Sequence, residues 1–299
     1  MKSIDLKYNI IIGLLKLVAM LPLWVLYRIS DFACLILHRV VGYRVKVVRK
    51  NLRNSFPEKT ERELRDIEND FYRHLCDCFI EAVKLLHISD SQLRRRVRMD
   101  GLEILTANAA QGRSTILFLG HYGNWEWVPA LTLDFPPTAL LGDLYRPQHS
   151  VLMDRVMRRI RARFRSIGIP VDSAYRTILR LRDSGERLVI GFIADQRPLG
   201  GAIHHWTYFM GQPTAYVVGG ETIGSRIGAD YVYAAMEKVS RGHYVLRFRR
   251  MPPADEGPNP YSRRFLMMLE DTIRRAPAYW LWSHNRWKNT PPADVFQAR

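Results

Sequence analysis

Residues Ser114–Trp127 read STILFLGHYGNWEW, and this stretch decides how the rest of the chain is placed. STILFLG is short, mostly apolar and rich in residues that favour strands, so it reads as a buried strand ending at Gly120. His121 follows at once. Gly123 and Asn124 then make a turn, and Glu126 falls in the opening turn of the next helix. Loops at the C-terminal ends of strands are where α/β enzymes gather their reacting groups. A carboxylate five positions on, across such a turn, can orient a histidine ring and raise its basicity.

Working outward, TALLG (138–142), LVIGFIA (188–194), DYVYAAM (230–236) and HYVLRFR (243–249) read as further strands. Between them, 125–133, 151–167, 174–183, 215–227 and 261–275 carry helical patterns. Upstream, Thr60 and Glu63 fit a capping box, and Leu64, Ile67, Phe71, Leu75 and Phe79 recur at helical spacing, so 60–87 reads as one helix. The expected fold class is α/β, a mixed sheet flanked by helices. No internal repeat or low-complexity segment interrupts it, and the turn-rich stretch MPPADEGPNP (251–260) joins elements rather than domains.

The N-terminus differs. Residues 10–27, IIIGLLKLVAMLPLWVLY, are apolar apart from Lys16, with Pro22 inside, and a second apolar stretch covers 32–41. The first is near the lower limit for a bilayer span and lacks a small-residue cleavage site. Arg39, Arg44, Lys46, Arg49, Lys50 and Arg53 follow, where anionic headgroups on the cytoplasmic side would meet them. We therefore expect membrane-anchoring helices over 1–45, as a span or as an interfacial pair, and a catalytic domain over 46–299. The formal net charge of +16 favours anionic partners: nucleic acid, a membrane surface, phosphorylated lipid or an acidic carrier protein. No helix-turn-helix or aromatic-studded sheet motif supports nucleic acid. Cys34, Cys76 and Cys78 form neither a disulfide framework nor a C-x-x-C site.

Spacing alone is weak, because nine histidines and 29 acids give about one chance H-x-x-x-x-[DE] match in such a chain. A second match exists, His149 with Asp154, but it has neither a strand before it nor a glycine at the turn. The first pair is the functional one on that ground.

The string G-H-Y-G-N-W-E resembles the catalytic block of the late acyltransferases of lipid A biosynthesis, within the glycerolipid acyltransferase superfamily. Further blocks follow in order: Tyr145-Arg146-Pro147, Asp195-Gln196, Phe209-Met210-Gly211-Gln212-Pro213, and Trp282 to Lys288, WSHNRWK. The resemblance covers nearly the whole chain. It implies a glycerolipid-acyltransferase-like fold and transfer of an acyl chain from acyl carrier protein to a hydroxyl of a lipid A precursor. The place would be the cytoplasmic face of an inner membrane, with neither cofactor nor metal. It also implies His121 as general base with Glu126 as its partner, and Gly123, Asn124, Arg146, Asp195 and Gln196 as substrate-site residues. The alternatives are an acyltransferase for another glycolipid, an aminolipid or a lysophospholipid, and a non-enzymatic basic membrane or nucleic-acid-binding protein.

The chemistry of the residues agrees. An alcohol cannot attack a thioester unaided near neutrality, so a base must take its proton as the bond forms, and histidine suits that. The developing negative charge could be met by backbone amides around Gly123 or by the Arg146 guanidinium. No G-x-S-x-G elbow suggests a covalent intermediate. The segment 151–167 combines an apolar stripe with Arg155, Arg158, Arg159, Arg161, Arg163 and Arg165. Such a cationic face could dock the donor, glycolipid phosphates or the membrane, or serve as solvated scaffold.

Overall fold

The computed structural model describes residues 2–136, 139–147, 150–198, 203–254 and 257–292. Its strands are β1 (Val97–Asp100), β2 (Thr115–Leu119), β3 (Leu140–Tyr145), β4 (Ser166–Pro170), β5 (Leu188–Ile193), β6 (Trp206–Phe209), β7 (Gln212–Ala215), β8 (Asp230–Ser240) and β9 (His243–Arg250). The α-helices are α1 (Lys2–Met20), α2 (Leu23–Leu35), α3 (Val45–Ser55), α4 (Glu61–Lys84), α5 (Asp90–Arg94), α6 (Leu102–Ala110), α7 (Val151–Arg161), α8 (Ala174–Asp183), α9 (Gly219–Ile227) and α10 (Pro260–Arg275).

Among the described residues, seven strands form one sheet in the order β1-β9-β8-β2-β5-β3-β4. Only β8 and β9 pair antiparallel within it, so the sheet is mixed, as expected. β2 lies near the middle with all five residues buried, which requires both faces to be covered. Its side chains alternate accordingly. Ile116 and Phe118 join a core with Ile178, Phe265 and Leu269, from α8 and α10. Leu117 and Leu119 join the opposite core with Leu105, Val156 and Ile160, from α6 and α7.

The five expected strands are present, and α4 starts at the expected capping box, with Thr60 and Glu63 each holding the other's backbone N–H. Thr138, at the start of one expected strand, and residues 255–256 of the turn-rich stretch lie outside the described residues. Two of the expected helices differ. The helix expected over 151–167 ends at Arg161 and gives way to β4. Beyond that end, Arg163 bonds the Leu85 and Ile88 carbonyls and Arg165 those of Thr132 and Phe135, pulling the chain out of helical register. Residues 125–133 form a 3-10 helix, because Pro129 in its interior has no N–H for an α ladder. The block at 209–213 is the turn of a separate β6–β7 hairpin, with Met210 and Gly211 both at positive φ, as a tight two-residue turn demands.

At the N-terminus the chain breaks at Pro22, and Lys84 of α4 caps the freed carbonyls of Ala19 and Leu21 at 2.8 and 2.9 Å. Among the described residues, no single helix is long and apolar enough to cross a membrane; Ile4–Met20 and Leu23–Val40 reach that length and composition only as a pair bent by 117°. Leu6, Ile10, Leu14 and Leu17 of α1 and Trp24, Phe32 and Leu35 of α2 are all exposed.

Candidate active site

The sheet itself builds the site. β2 and β5 are parallel neighbours with Leu119 opposite Ile193, and the Ala194 amide donates to the Leu119 carbonyl at 3.1 Å. The residues that leave both strands therefore emerge side by side at the C-terminal edge: His121 from one and Asp195 from the other. Gly120 lets them approach, since a Cβ there would press on the Leu269 side chain and come close to Asp195 Oδ2.

Asp195 grips His121 twice. The ring Nδ1 lies 2.7 Å from Oδ1, and the backbone N–H of His121 donates to Oδ2 at 2.8 Å. The indole N–H of Trp280 donates to the same Oδ2 at 2.8 Å. Asp195 is 2% exposed. Burial alone would raise its pKa, but the facing imidazole and these hydrogen bonds outweigh it and hold the carboxyl pKa below its ordinary range. With Nδ1 bonded to a carboxylate, the ring carries its proton there and leaves Nε2 as the base. Gln196 stands at that atom, its amide nitrogen 3.3 Å from Nε2, and the Trp125 ring meets the imidazole edge-on at 5.3 Å.

Glu126, expected as the partner of His121, is engaged elsewhere in the structure. Both its oxygens are taken by Arg161 of α7, at 2.9 and 2.6 Å. This fork-to-carboxylate pair ties the 3-10 helix to α7 and occupies the charge that spacing had assigned to the imidazole. The reason lies in geometry: the 3-10 helix turns Glu126 toward α7, while strand register brings Asp195 to His121.

The turn is also bound in ways its sequence does not announce. Gly123 sits at φ 61°, where a Cβ would collide with the Met236 carbonyl. Its N–H donates to the Tyr279 carbonyl at 2.9 Å. The amides of His121 and Gly123 are thus both spoken for and are not free to meet a developing oxyanion. Asn124, expected at the substrate site, is fully buried and gives its amide to Glu81 of α4 at 2.6 Å, anchoring the turn.

Arg146 follows β3 at the same edge of the sheet, exposed and without a hydrogen-bond partner among the described residues. In the α7 segment, Arg161 is committed to Glu126, and Arg155 to Asp5 at 2.5 Å and to the face of Tyr8 at 4.0 Å. These two are struts within the fold. Arg158 and Arg159 are exposed. His149 lies outside the described residues, so the competing pair is not placed.

The C-terminal block folds into the site instead of lying along its surface. Tyr122 and Trp280 form an isolated antiparallel bridge, Leu281 donates its N–H to the His121 carbonyl at 3.2 Å, and Asn51 of α3 holds the carbonyls of Trp282 and His284. Burial lowers His284 to about 4. Arg286 is 2% exposed, its three guanidinium nitrogens find no hydrogen-bond partner among the described residues, and burial lowers its pKa to about 10. Sequence reasoning noticed the aromatic and basic character of this tail but had no signal that Trp280, just before it, reaches Asp195. Among the described residues, no group of three or more His, Cys, Asp or Glu side chains is arranged to hold a metal ion.

The chain is 26% identical over 257 residues to the "Lipid A biosynthesis palmitoleoyltransferase" of Escherichia coli (strain K12), an alignment that covers 84% of this chain and 81% of that protein. The "Lipid A biosynthesis acyltransferase" of Shigella flexneri matches with the same identity and coverage. With the family described as "Bacterial lipid A biosynthesis acyltransferase" matching residues 3–289, the chain belongs to that family of acyltransferases.

Proposed function

We propose that this protein moves a fatty acyl chain from the thioester of acyl carrier protein to a hydroxyl of a lipid A precursor at the cytoplasmic face of the inner membrane. His121 is the general base and Asp195 orients it. The observation that carries this reading is the Asp195 grip on Nδ1, which leaves Nε2 as the only ring atom able to take a proton. The acceptor hydroxyl takes the place of the Gln196 amide at Nε2. Its proton passes to the ring as oxygen bonds to the thioester carbon, and Asp195 stabilises the imidazolium that forms. The C–S bond then breaks, and the leaving thiolate takes the proton back from Nε2. With the two turn amides occupied, the exposed Arg146 supplies charge for the oxyanion. Glu126 acts through Arg161, holding the 3-10 helix against α7 so that Trp125 stays on the imidazole.

The test is to incubate purified protein with acyl carrier protein thioesters or acyl coenzyme A, and with a panel of acceptors: lipid A precursor, glycosylated phosphoinositide, aminolipid and lysophospholipid. Mass spectrometry should show one acyl chain added to the lipid A precursor from the carrier-protein donor. Acylation of lysophospholipid alone, or equal use of coenzyme A, would overturn the assignment.

A further inference from the structure

The groups used in the transfer sit on or beside the turn Gly120–Glu126, so whatever fixes that turn governs them. Behind it lies Glu81 of α4, fully buried. Oε2 accepts from Asn124 Nδ2 at 2.6 Å and from the Tyr244 hydroxyl at 2.7 Å, and Oε1 from the Tyr27 hydroxyl at 2.8 Å. Its backbone carbonyl accepts from the Trp127 indole at 3.0 Å. The turn, the 3-10 helix, α2, α4 and β9 thus meet at one residue. Placing a carboxylate there is costly, and burial pushes Glu81 up to about 7. An apolar side chain would fill the space at less cost, but it could not hold three donors at once.

The link toward α2 is equally built. Arg241, in the β8–β9 turn, stacks on the Tyr27 ring at 4.5 Å and donates to the Tyr27 carbonyl at 3.2 Å. It also bridges Asp31 of α2 and Asp77 of α4, each at 2.7 Å. Ser30 of α2 donates to Asp77 at 2.8 Å. Gly242 sits at φ 73° with the Tyr27 hydroxyl where a Cβ would stand. The helix that carries the exposed Trp24 and Phe32 is therefore joined to the catalytic turn by a chain of partly and fully buried polar contacts.

We propose that Glu81 is a positioning residue for the transfer: it clamps Asn124, so setting the turn that aims His121, and through Tyr27 it ties that turn to the apolar helix α2. This rests on His121 being the base, and the experiment separates the two ideas. Glu81→Gln, Glu81→Leu and Tyr27→Phe are made in the full chain, checked for folding by circular dichroism, and assayed for kcat and KM. In parallel, the downfield proton resonance of the His121–Asp195 hydrogen bond is recorded, a readout that needs no acyl transfer.

Glu81→Gln should stay within about threefold of wild type in kcat, because its amide oxygen still accepts from Asn124 and its amide nitrogen can donate to the Tyr27 oxygen. Glu81→Leu should lower kcat by about 30-fold or more with KM changed less than about twofold, and should shift or broaden the resonance. Tyr27→Phe, which deletes one hydroxyl, should lower kcat by about 3- to 10-fold. A folded Glu81→Leu protein with near wild-type kcat and an unchanged resonance would overturn the clamp, as would glutamine proving as harmful as leucine. If Glu81→Leu does not fold, Tyr27→Phe at wild-type rate with an unchanged resonance overturns the link to α2. A wild-type protein that transfers no acyl chain would count against the activity alone, and the resonance would still decide the clamp.

Discussion

Asp195 stands 74 residues beyond His121, yet the register of two parallel strands sets it against the imidazole more firmly than a separation of five positions sets Glu126. The two carboxylates should therefore fail differently. Asp195→Asn should lower kcat by at least about 100-fold with little change in KM or melting temperature, since a neutral amide no longer fixes the ring's proton on Nδ1 or stabilises the imidazolium. Glu126→Ala should cost stability as well as rate, because it leaves Arg161 beside a pair of lost oxygens. Adding Arg161→Met should then recover part of that stability, whereas added to Asp195→Asn it should cost stability, because it leaves the intact Glu126 without its partner. Steady-state kinetics and melting curves on these four variants and the wild type check both statements. Loss of rate without loss of stability in Glu126→Ala, together with a tolerated Asp195→Asn, would return the carboxylate role to Glu126.

Elements were legible where apolar pattern alone determines them. The buried runs of β2, β5, β8 and β9 and the capping box of α4 carry their structure locally. β1, β4 and the β6–β7 hairpin, of four or five residues each, exist because of what they pair with, and short strands of that kind leave no periodicity to read. The polar side of α4 was hidden for the same reason. A helical stripe marks Leu64, Phe71 and Leu75 as core, but nothing marks His74, Asp77, Glu81 and Lys84 as buried too. Glu81 gives that hidden side a measurable signature. Its pKa in the folded state, raised from 4.5 to about 7 chiefly by burial, means the folded state binds a proton more tightly than the unfolded chain. Stability from this group is present in full below about pH 4.5 and is lost as pH rises through about 7, a swing on the order of 3 kcal/mol. Buried His74, lowered to about 3, runs the opposite way, so the wild-type curve alone mixes the two. The difference between Glu81→Gln and wild type isolates Glu81. The variant should match wild type in melting temperature near pH 5 and gain on it steadily toward pH 8; a difference that stays flat with pH would show that Glu81 does not change its proton on folding.

At the scale of the whole molecule, two unlike surfaces meet at the N-terminus. Leu6, Ile10, Leu14 and Leu17 fall on one face of α1 at spacings of four, four and three, and Trp24 and Phe32 of α2 are 71% and 64% exposed. Around them lie exposed Lys7, Lys16, Arg28, Arg39, Lys46 and Lys50, part of a net charge of +16. Apolar insertion and charge attraction respond differently to salt, since screening shortens the reach of charge to about 3 Å at 1 M and leaves hydrophobic burial intact or stronger. If the bent helix pair seats in the membrane, the intact chain should stay with membranes in 1 M salt and come off only with detergent. Replacing Leu17, Trp24 and Phe32 together with serine should make it extractable by salt, without unfolding, because those side chains contribute little to the core. Clean release of the wild type by salt alone would show the attachment to be electrostatic. The remaining free charge on α7 is then tested on the same preparations. Reversing Arg158 and Arg159 should raise KM for acyl carrier protein or weaken binding to anionic vesicles while leaving kcat near wild type, because neither side chain is committed inside the fold as Arg155 and Arg161 are. Unchanged values in both assays would make that face solvated scaffold and leave the apolar pair as the attachment.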